Sequence, residues 1–114
     1  MSDCPFCAFV KNHFPSDSVA EVHDGWMVVN PLNPFCEGHK LIVPFEHVKD
    51  VRRDPVLFGK MSELAANYLK DVGAEGNIIT SCGSKPTQTV EHLHIHIIPR
   101  KNVSEIPKGW PWKG

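Results

Sequence analysis

Short apolar stretches rich in β-branched and aromatic residues alternate with polar turn residues along most of the chain. Residues 19–23 and 26–30 have the composition of β-strands, and the Asp24-Gly25 pair between them is a strong hairpin signal. The loop over residues 31–38 contains two prolines and a glycine, which exclude regular structure there. Three further strands are predicted at residues 39–44, 77–81 and 90–99.

One longer segment has the spacing of an amphipathic helix. Asp54 is suited to the N-cap, Pro55 to the first helical position and Gly73 to the end of the helix. Its apolar positions, all expected in the core, are Leu57, Met61, Leu64, Ala65, Tyr68, Leu69 and Val72. The element order β-β-β-α-β-β predicts an α+β fold, with a mostly antiparallel sheet of about five strands and one long helix on one face.

Composition limits the classes of protein to which the chain can belong. Its 114 residues are enough for a single domain with one modest core. With 22% charged residues, 41% apolar residues and a net charge of −1, it has no basic field that would attract nucleic acid or an anionic membrane. The apolar runs are too short for a membrane span, and the start does not resemble a signal peptide. We therefore expect a cytoplasmic protein that binds neither nucleic acid nor membrane.

The four cysteines point to a metal rather than to disulfide bonds. Cys4 and Cys7 have the C-x-x-C spacing that supplies half of a tetrahedral zinc site, although two free thiols are the alternative. Residues 4–17 around them are predicted to be irregular. Cys36 and Cys82 belong to no such motif, and we expect them to be ordinary buried thiols.

Three histidines occupy alternate positions in the last predicted strand. His92, His94 and His96 would share one face of the sheet, while the apolar residues between them share the other. Adjacent imidazoles repel each other when protonated and are costly to bury without partners. A solvent-exposed face that is rich in histidine is possible. Metal ligation and nucleophilic or acid–base chemistry explain the pattern better.

Three blocks of the sequence resemble the histidine-triad (HIT) superfamily. "QTVEHLHIHIIPR" resembles its signature of three histidines separated by apolar residues. "GHKLIVPFEHV" is similar to a second family segment, and "CPFC" to the amino-terminal cysteine pair of the zinc-containing branch. The three blocks occur in the same order as in the family, and together they span most of the chain. The resemblance therefore implies the HIT-like fold over a single domain, residues 1–114.

The resemblance implies an enzyme that hydrolyses or transfers nucleoside monophosphate groups through a covalent nucleotidyl-histidine. His94 would be the nucleophile, and a neutral imidazole suits that role because its ordinary pKa lies near 6.5. His96 would hold the phosphate oxygens or assist the leaving group, which favours water as the acceptor. His39 would support the triad from behind. A nucleotidyltransferase and a non-catalytic, zinc-bearing nucleotide-binding module are the alternatives.

The resemblance also assigns substrate contacts. Gln88 and Thr89 would lie near the α-phosphate, and Asn30 near the ribose. Ser81 stands where the family commonly has asparagine or glutamine, and its shorter side chain leaves the leaving-group preference open. Thr87 replaces a glycine that the family often has before the glutamine.

By the same resemblance, His47 and His92 would join Cys4 and Cys7 to hold one structural zinc per chain, next to an amino-terminal knuckle of about residues 4–14. A purine nucleotide substrate and a homodimer are also implied. The tail, about residues 101–114, contains Trp110 and Trp112, and we expect it to edge the substrate pocket.

Overall fold

The structure, a computed structural model, describes residues 4–15, 17–83, 88 and 90–101. Within these residues five strands form one sheet in the spatial order β1-β2-β3-β5-β4, and all neighbouring strands are antiparallel. The strands are β1 (Val19–Val22), β2 (Trp26–Val29), β3 (Lys40–Pro44), β4 (Gly76–Ile79) and β5 (Ile95–Pro99). The α-helices are α1 (Pro5–Lys11) and α2 (Pro55–Val72), and a short 3-10 helix spans Val51–Arg53. The predicted α+β fold is confirmed.

Helix α2 begins and ends where its sequence predicts. The Asp54 side chain accepts a hydrogen bond from the Leu57 backbone N–H at 3.0 Å, and Gly73 closes the helix in the left-handed conformation at φ 69°. Val72 is 54% exposed, so its assignment to the core is wrong. It lies in the final turn, beyond Leu69, the last helical residue that packs against the core.

Both faces of the sheet are covered, because successive strand residues point to opposite sides. The face toward α2 contributes to a cluster that consists of Val28, Ile42, Val48, Met61, Ala65, Leu93, Ile95 and Ile97. The opposite face contributes to a second cluster of Phe6, Val19, Met27, Val29, Leu41 and Val43. The apolar residues of the histidine segment, Leu93, Ile95 and Ile97, therefore lie on the face toward the long helix.

The segment predicted to be irregular over residues 4–17 contains helix α1. Pro5 lies in its first turn, and the Cys4 sulfur caps it by accepting a hydrogen bond from the Cys7 backbone N–H at 3.4 Å. Phe6, Phe9 and Val10 have helical i, i+3, i+4 spacing and pack on the second cluster. The expectation of irregular structure is wrong because the C-x-x-C spacing also fits one helical turn, which brings both sulfurs to one side.

The strand predicted over residues 90–99 begins only at Ile95. The Leu93 backbone N–H bonds to the Val48 carbonyl oxygen at 2.6 Å, and the His92 backbone N–H to the Val90 carbonyl oxygen at 2.9 Å. His92 and His94 thus precede the paired part of the strand, and only His96 lies within it. Their main-chain groups are therefore available for bonds other than the sheet ladder.

The two cysteines outside the C-x-x-C pair lie outside both hydrophobic clusters. Cys36 and Cys82, expected to be ordinary buried thiols, are half-buried and lie in loops. Neither α1 nor α2, the α-helices in the described part of the chain, has the length and apolar character of a membrane span.

Candidate active site and metal centre

Four metal-ligating side chains meet where α1 approaches the histidine segment. The ligand atoms of Cys4, Cys7, His47 and His92 all lie within 4.8 Å of one another. His92 Nδ1 is 3.3 Å from Cys4 Sγ and 3.2 Å from His47 Nδ1, which is itself 3.2 Å from Cys7 Sγ. Ligand atoms around a tetrahedral zinc ion are about 3.3–3.8 Å apart, given the usual bond lengths. This cluster could therefore bind one tetrahedral ion with little movement.

The main chain fixes the orientation of the His92 ring. Nε2 lies 2.9 Å from the Pro44 carbonyl oxygen, which can only accept, so Nε2 carries the proton. The Nδ1 lone pair then faces the two sulfurs. Burial, assisted by the neighbouring His47 and His94, lowers the pKa of His92 to about 4 and keeps the ring neutral. A neutral imidazole whose other nitrogen donates to a carbonyl is the usual metal-ligand arrangement.

The protonation state of the Cys7 thiol would change if a cation bound to the cluster. Burial raises the pKa of the Cys7 thiol to about 11, and its hydrogen bond with Cys4 acts in the same direction. The protonated thiol is therefore favoured when no cation is present. A bound divalent ion reverses this preference, because coordinating thiols are deprotonated. Metal binding at this cluster is consequently coupled to proton release.

The His94 ring is held by the backbone two residues earlier. Its Nδ1 lies 2.8 Å from the His92 carbonyl oxygen and must donate to it. Nε2 is then the nitrogen that carries a free lone pair. Burial lowers the pKa of His94, so the ring remains neutral and its Nε2 nucleophilic at neutral pH.

His39 and His96 form a second pair with fixed tautomers. The Phe35 backbone N–H donates to His39 Nδ1 at 2.9 Å, so a neutral His39 has its proton on Nε2. This proton points to His96 Nδ1, 3.0 Å away, and therefore leaves the proton of a neutral His96 on its own Nε2. Burial lowers the pKa of both rings, to about 4 for His96. His39 therefore contacts His96, and its supporting role in the triad stays a prediction.

A cavity of about 460 Å³ lies beside His94 and His96. Its size is within the range of about 300–1,000 Å³ that is usual for small-molecule sites. Helix α1, strands β2 and β3 and the loop after β2 form much of its wall. The lining residues are Pro5, Phe6, Phe9, Ser18, Val29, Asn30, Pro31, Leu32, Asn33, Leu41, Val90, His94 and His96.

The structure brings some of the predicted substrate contacts to this cavity and not others. Asn30 lines it, with Oδ1 accepting a hydrogen bond from Lys40 Nζ at 2.6 Å. Ser81 lies two residues beyond β4 and is outside the described lining. Thr89 and Thr87 are outside the described residues.

Gln88 is held by the main chain. Its Oε1 accepts from the Gly83 backbone N–H at 2.8 Å, while Nε2 donates to the carbonyl oxygens of Lys49 and Val90 at 2.7 and 2.9 Å. These bonds use the amide oxygen and both amide hydrogens. Contact with a phosphate would therefore require some of them to open.

Comparison with known proteins identifies the family. Residues 13–103 match the HIT domain. The chain belongs to the HIT family. It is 30% identical over 111 residues to the adenosine 5'-monophosphoramidase of Schizosaccharomyces pombe, an alignment that covers 95% of this chain and 83% of that protein. It is 29% identical over 106 residues to an adenylylsulfatase of Arabidopsis thaliana, covering 88% of this chain and 53% of that protein.

The fold also matches solved HIT structures. A Zn-bound histidine triad family protein from Mycobacterium smegmatis superposes with a TM-score of 0.79 at 25% identity, covering 93% of this chain and 81% of that chain. This agreement confirms the predicted HIT-like fold.

The part of the cavity wall that α1 supplies in this HIT chain was not predicted from the sequence. Pro5, Phe6 and Phe9 line the cavity, and Phe6 is only 5% exposed. The signal was present in "CPFCAFV", where proline follows a capping residue and the apolar residues have helical spacing. Ser18 is a further lining residue, and no motif marked it.

Proposed function

We propose that this HIT protein hydrolyses nucleoside 5'-monophosphate derivatives at phosphorus, through a covalent nucleotidyl intermediate on His94. One observation carries the proposal: His94 offers an Nε2 lone pair, and His96 offers an Nε2–H, beside the same cavity. Phosphoryl substitution needs a nucleophile together with a donor for the charged oxygens. Similarity to proteins named as an adenosine monophosphoramidase and an adenylylsulfatase supports an adenine nucleotide as substrate.

In the first step His94 Nε2 attacks phosphorus. The bond from phosphorus to the leaving group breaks, and its electron pair goes to the leaving atom. A leaving amine takes a proton from water, whereas sulfate leaves as the anion. The resulting imidazolium keeps its Nδ1–H on the His92 carbonyl oxygen, which stabilises the positive charge. In the second step water attacks phosphorus and releases its proton to solvent, while the electron pair of the P–N bond returns to Nε2.

His96 acts as a hydrogen-bond donor to the phosphoryl oxygens. Because the His39 Nε2–H occupies His96 Nδ1, the neutral ring has a single proton, on its Nε2. Giving that proton away would leave an anionic imidazole, which is far too basic to form at neutral pH. Stabilisation of charge on the phosphoryl oxygens is therefore its role in both steps.

The apolar wall suits a purine base. Phe6, Phe9 and Leu41 provide aromatic and aliphatic surface for stacking and packing. Asn30 would contact the ribose with its amide hydrogens, because Lys40 already occupies its oxygen. Gln88, once its loop bonds open, and Thr89 are proposed phosphate contacts. Ser81 is the proposed contact to the bridging atom.

The metal in this proposal is one structural zinc per chain, held by Cys4, Cys7, His47 and His92. The donor set of two sulfurs and two ring nitrogens is typical of closed zinc sites. Zinc held there would stabilise the thiolates and tie α1 to the histidine segment, and it would take no part in the chemistry at phosphorus. We further propose that residues 1–114 form one domain and that the protein is a homodimer, which light scattering at micromolar concentration tests.

A substrate comparison with product analysis tests the proposed activity. Wild-type protein, His94→Ala and the control His23→Ala, at an exposed histidine on the β1–β2 hairpin, are incubated with adenosine 5'-phosphoramidate and adenosine 5'-phosphosulfate in oxygen-labelled water. Wild type and the control should form AMP that carries the label, whereas His94→Ala should lose several orders of magnitude in rate. Near-normal turnover by His94→Ala contradicts the proposal. A product bearing an added phosphate, when phosphate is present, would identify a transferase instead.

A further inference from the structure

Phe6 lies between the metal cluster and the substrate cavity and belongs to both. It is buried on α1 between Cys4 and Cys7, with its ring centroid 5.5 Å from that of His92 and 5.3 Å from that of His94. Both contacts are edge-to-face, and Phe6 also lines the cavity. One side chain therefore touches a metal ligand, the proposed nucleophile and the space for substrate.

The position of α1 depends on few attachments. A helix of seven residues is too short to be stable by itself. It is attached to the rest of the protein through the two cysteines, which meet His47 and His92, and through the packing of its apolar residues Phe6, Phe9 and Val10. The same helix supplies Pro5, Phe6 and Phe9 to the cavity wall. Because the two cysteines help to hold α1, the position of this wall depends on whether the cluster contains a metal ion.

We propose that the metal in this cluster and a nucleotide in the cavity bind cooperatively, with Phe6 as the positioning residue that couples them. The inference rests on the proposed function for the identity of the ligand, but not on catalysis by His94. Coupling between two sites is reciprocal. If the metal strengthens nucleotide binding by some factor, the nucleotide strengthens metal binding by the same factor.

The physical basis is close packing between three aromatic rings. A metal ion would hold the His92 ring through Nδ1, opposite the bond from Nε2 to Pro44, and would hold α1 through the two sulfurs. Phe6 then has a single position against His92 and His94. Protein interiors transmit such constraints because they have little free volume. A nucleotide that packs on Phe6 restricts the same ring from the other side and favours the geometry that binds the metal.

Competition for zinc tests the coupling on the folded, zinc-loaded protein. Zinc affinity is measured against a chromogenic chelator with and without saturating AMP, which as the hydrolysis product binds without turnover. AMP should raise the zinc affinity of wild-type protein by about fivefold or more. In Phe6→Leu, which keeps an apolar side chain without the ring, the ratio should fall close to one.

Phe14→Leu is the matched control. Phe14 packs against the same hydrophobic cluster and contacts Phe45, with ring centroids 5.2 Å apart, but lies outside the described cavity lining. It should keep the wild-type ratio. Similar ratios in the two variants would overturn the inference, because AMP would then stabilise the folded state in general rather than through Phe6.

Nucleotide binding measured by calorimetry separates this inference from the proposed function. If AMP binds zinc-loaded wild-type protein and leaves its zinc affinity unchanged, cooperativity is contradicted and the proposed function stands. If AMP does not bind at all, the inference fails, while the proposed function is decided separately by the labelled-water assay with His94→Ala.

Discussion

His94 donates its Nδ1–H to the main-chain carbonyl oxygen of His92 across 2.8 Å. The same His92 directs its own Nε2–H to the Pro44 carbonyl oxygen and its Nδ1 to the two cysteines. The carbonyl is available because sheet pairing begins only at Ile95. The main chain of His92, a proposed metal ligand, thus holds the ring of His94, whose Nε2 has a free lone pair.

Replacing one cysteine of the cluster should remove the metal. Wild-type protein purified without chelator should contain about one equivalent of zinc per chain, and Cys4→Ser should contain little. Cys36→Ser is the control, since Cys36 is also half-buried but lies outside the cluster. Elemental analysis measures the zinc. Unchanged zinc content in Cys4→Ser would exclude this ligand set. The variant should also unfold at lower temperature, because a closed metal site contributes to folding.

Removing the imidazole of His39 should lower kcat more than it raises KM. His39 fixes the tautomer of His96 through Nε2 and lies behind it rather than against the cavity. We expect His39→Ala to lose about 100-fold in kcat. His39→Gln can still donate a side-chain N–H and should recover part of the rate. A rise in KM alone, measured by steady-state kinetics, would contradict the positioning role.

Folding stability should decrease on acidification, partly because of His96. Burial, followed by the charges of His94 and His39, lowers the pKa of His96 from 6.5 to about 4. Between these values the unfolded chain binds the proton and the folded protein does not, so the contribution is complete above pH 6.5 and is lost as pH falls toward 4. Thermal unfolding at about pH 7 and pH 5 should therefore show a larger loss of Tm for wild type than for His96→Gln. Equal losses would show that His96 does not contribute.

The tail prediction rests on sequence alone, since residues 102–114 lie outside the described part of the chain. If Trp110 and Trp112 edge the pocket, truncation after Pro107 should change the order in which substrates are preferred. The covalent intermediate should still form. Unchanged kcat/KM ratios across a substrate panel would remove this assignment and leave that of His94 intact.

The strands, α2 and the metal cluster could be predicted because their signals are local or belong to a family motif. Asp54 and Pro55 mark the start of α2 and Gly73 marks its end, and each signal lies directly at the helix terminus that it predicts. Helix α1 was not predicted because the same segment, "CPFCAFV", is compatible with two structures, an irregular metal-binding knuckle and a helical turn. The spacing of apolar residues identifies which face of a helix is buried but not where along the helix the core ends, and Val72 lies beyond that end.

What could not be predicted depends on contacts between distant residues. The late start of β5 is associated with the bond from the Leu93 N–H to the Val48 carbonyl oxygen. The engagement of Gln88 with Lys49 likewise joins residues 39 positions apart. The tautomers of His39 and His96 follow from the backbone of Phe35, which lies 61 positions (96 − 35) before His96. No local sequence pattern contains these partners.

Detection of the nucleotidyl-enzyme is the decisive test of His94 as the nucleophile. Wild-type protein is mixed with excess adenosine 5'-phosphoramidate, quenched rapidly in base, because P–N bonds hydrolyse in acid, and analysed by intact mass spectrometry followed by peptide mapping. Wild type should carry one added adenylyl group per chain, located at His94, and His94→Ala should carry none. An adenylyl group on another residue, or hydrolysis by His94→Ala at the wild-type rate, would contradict this assignment.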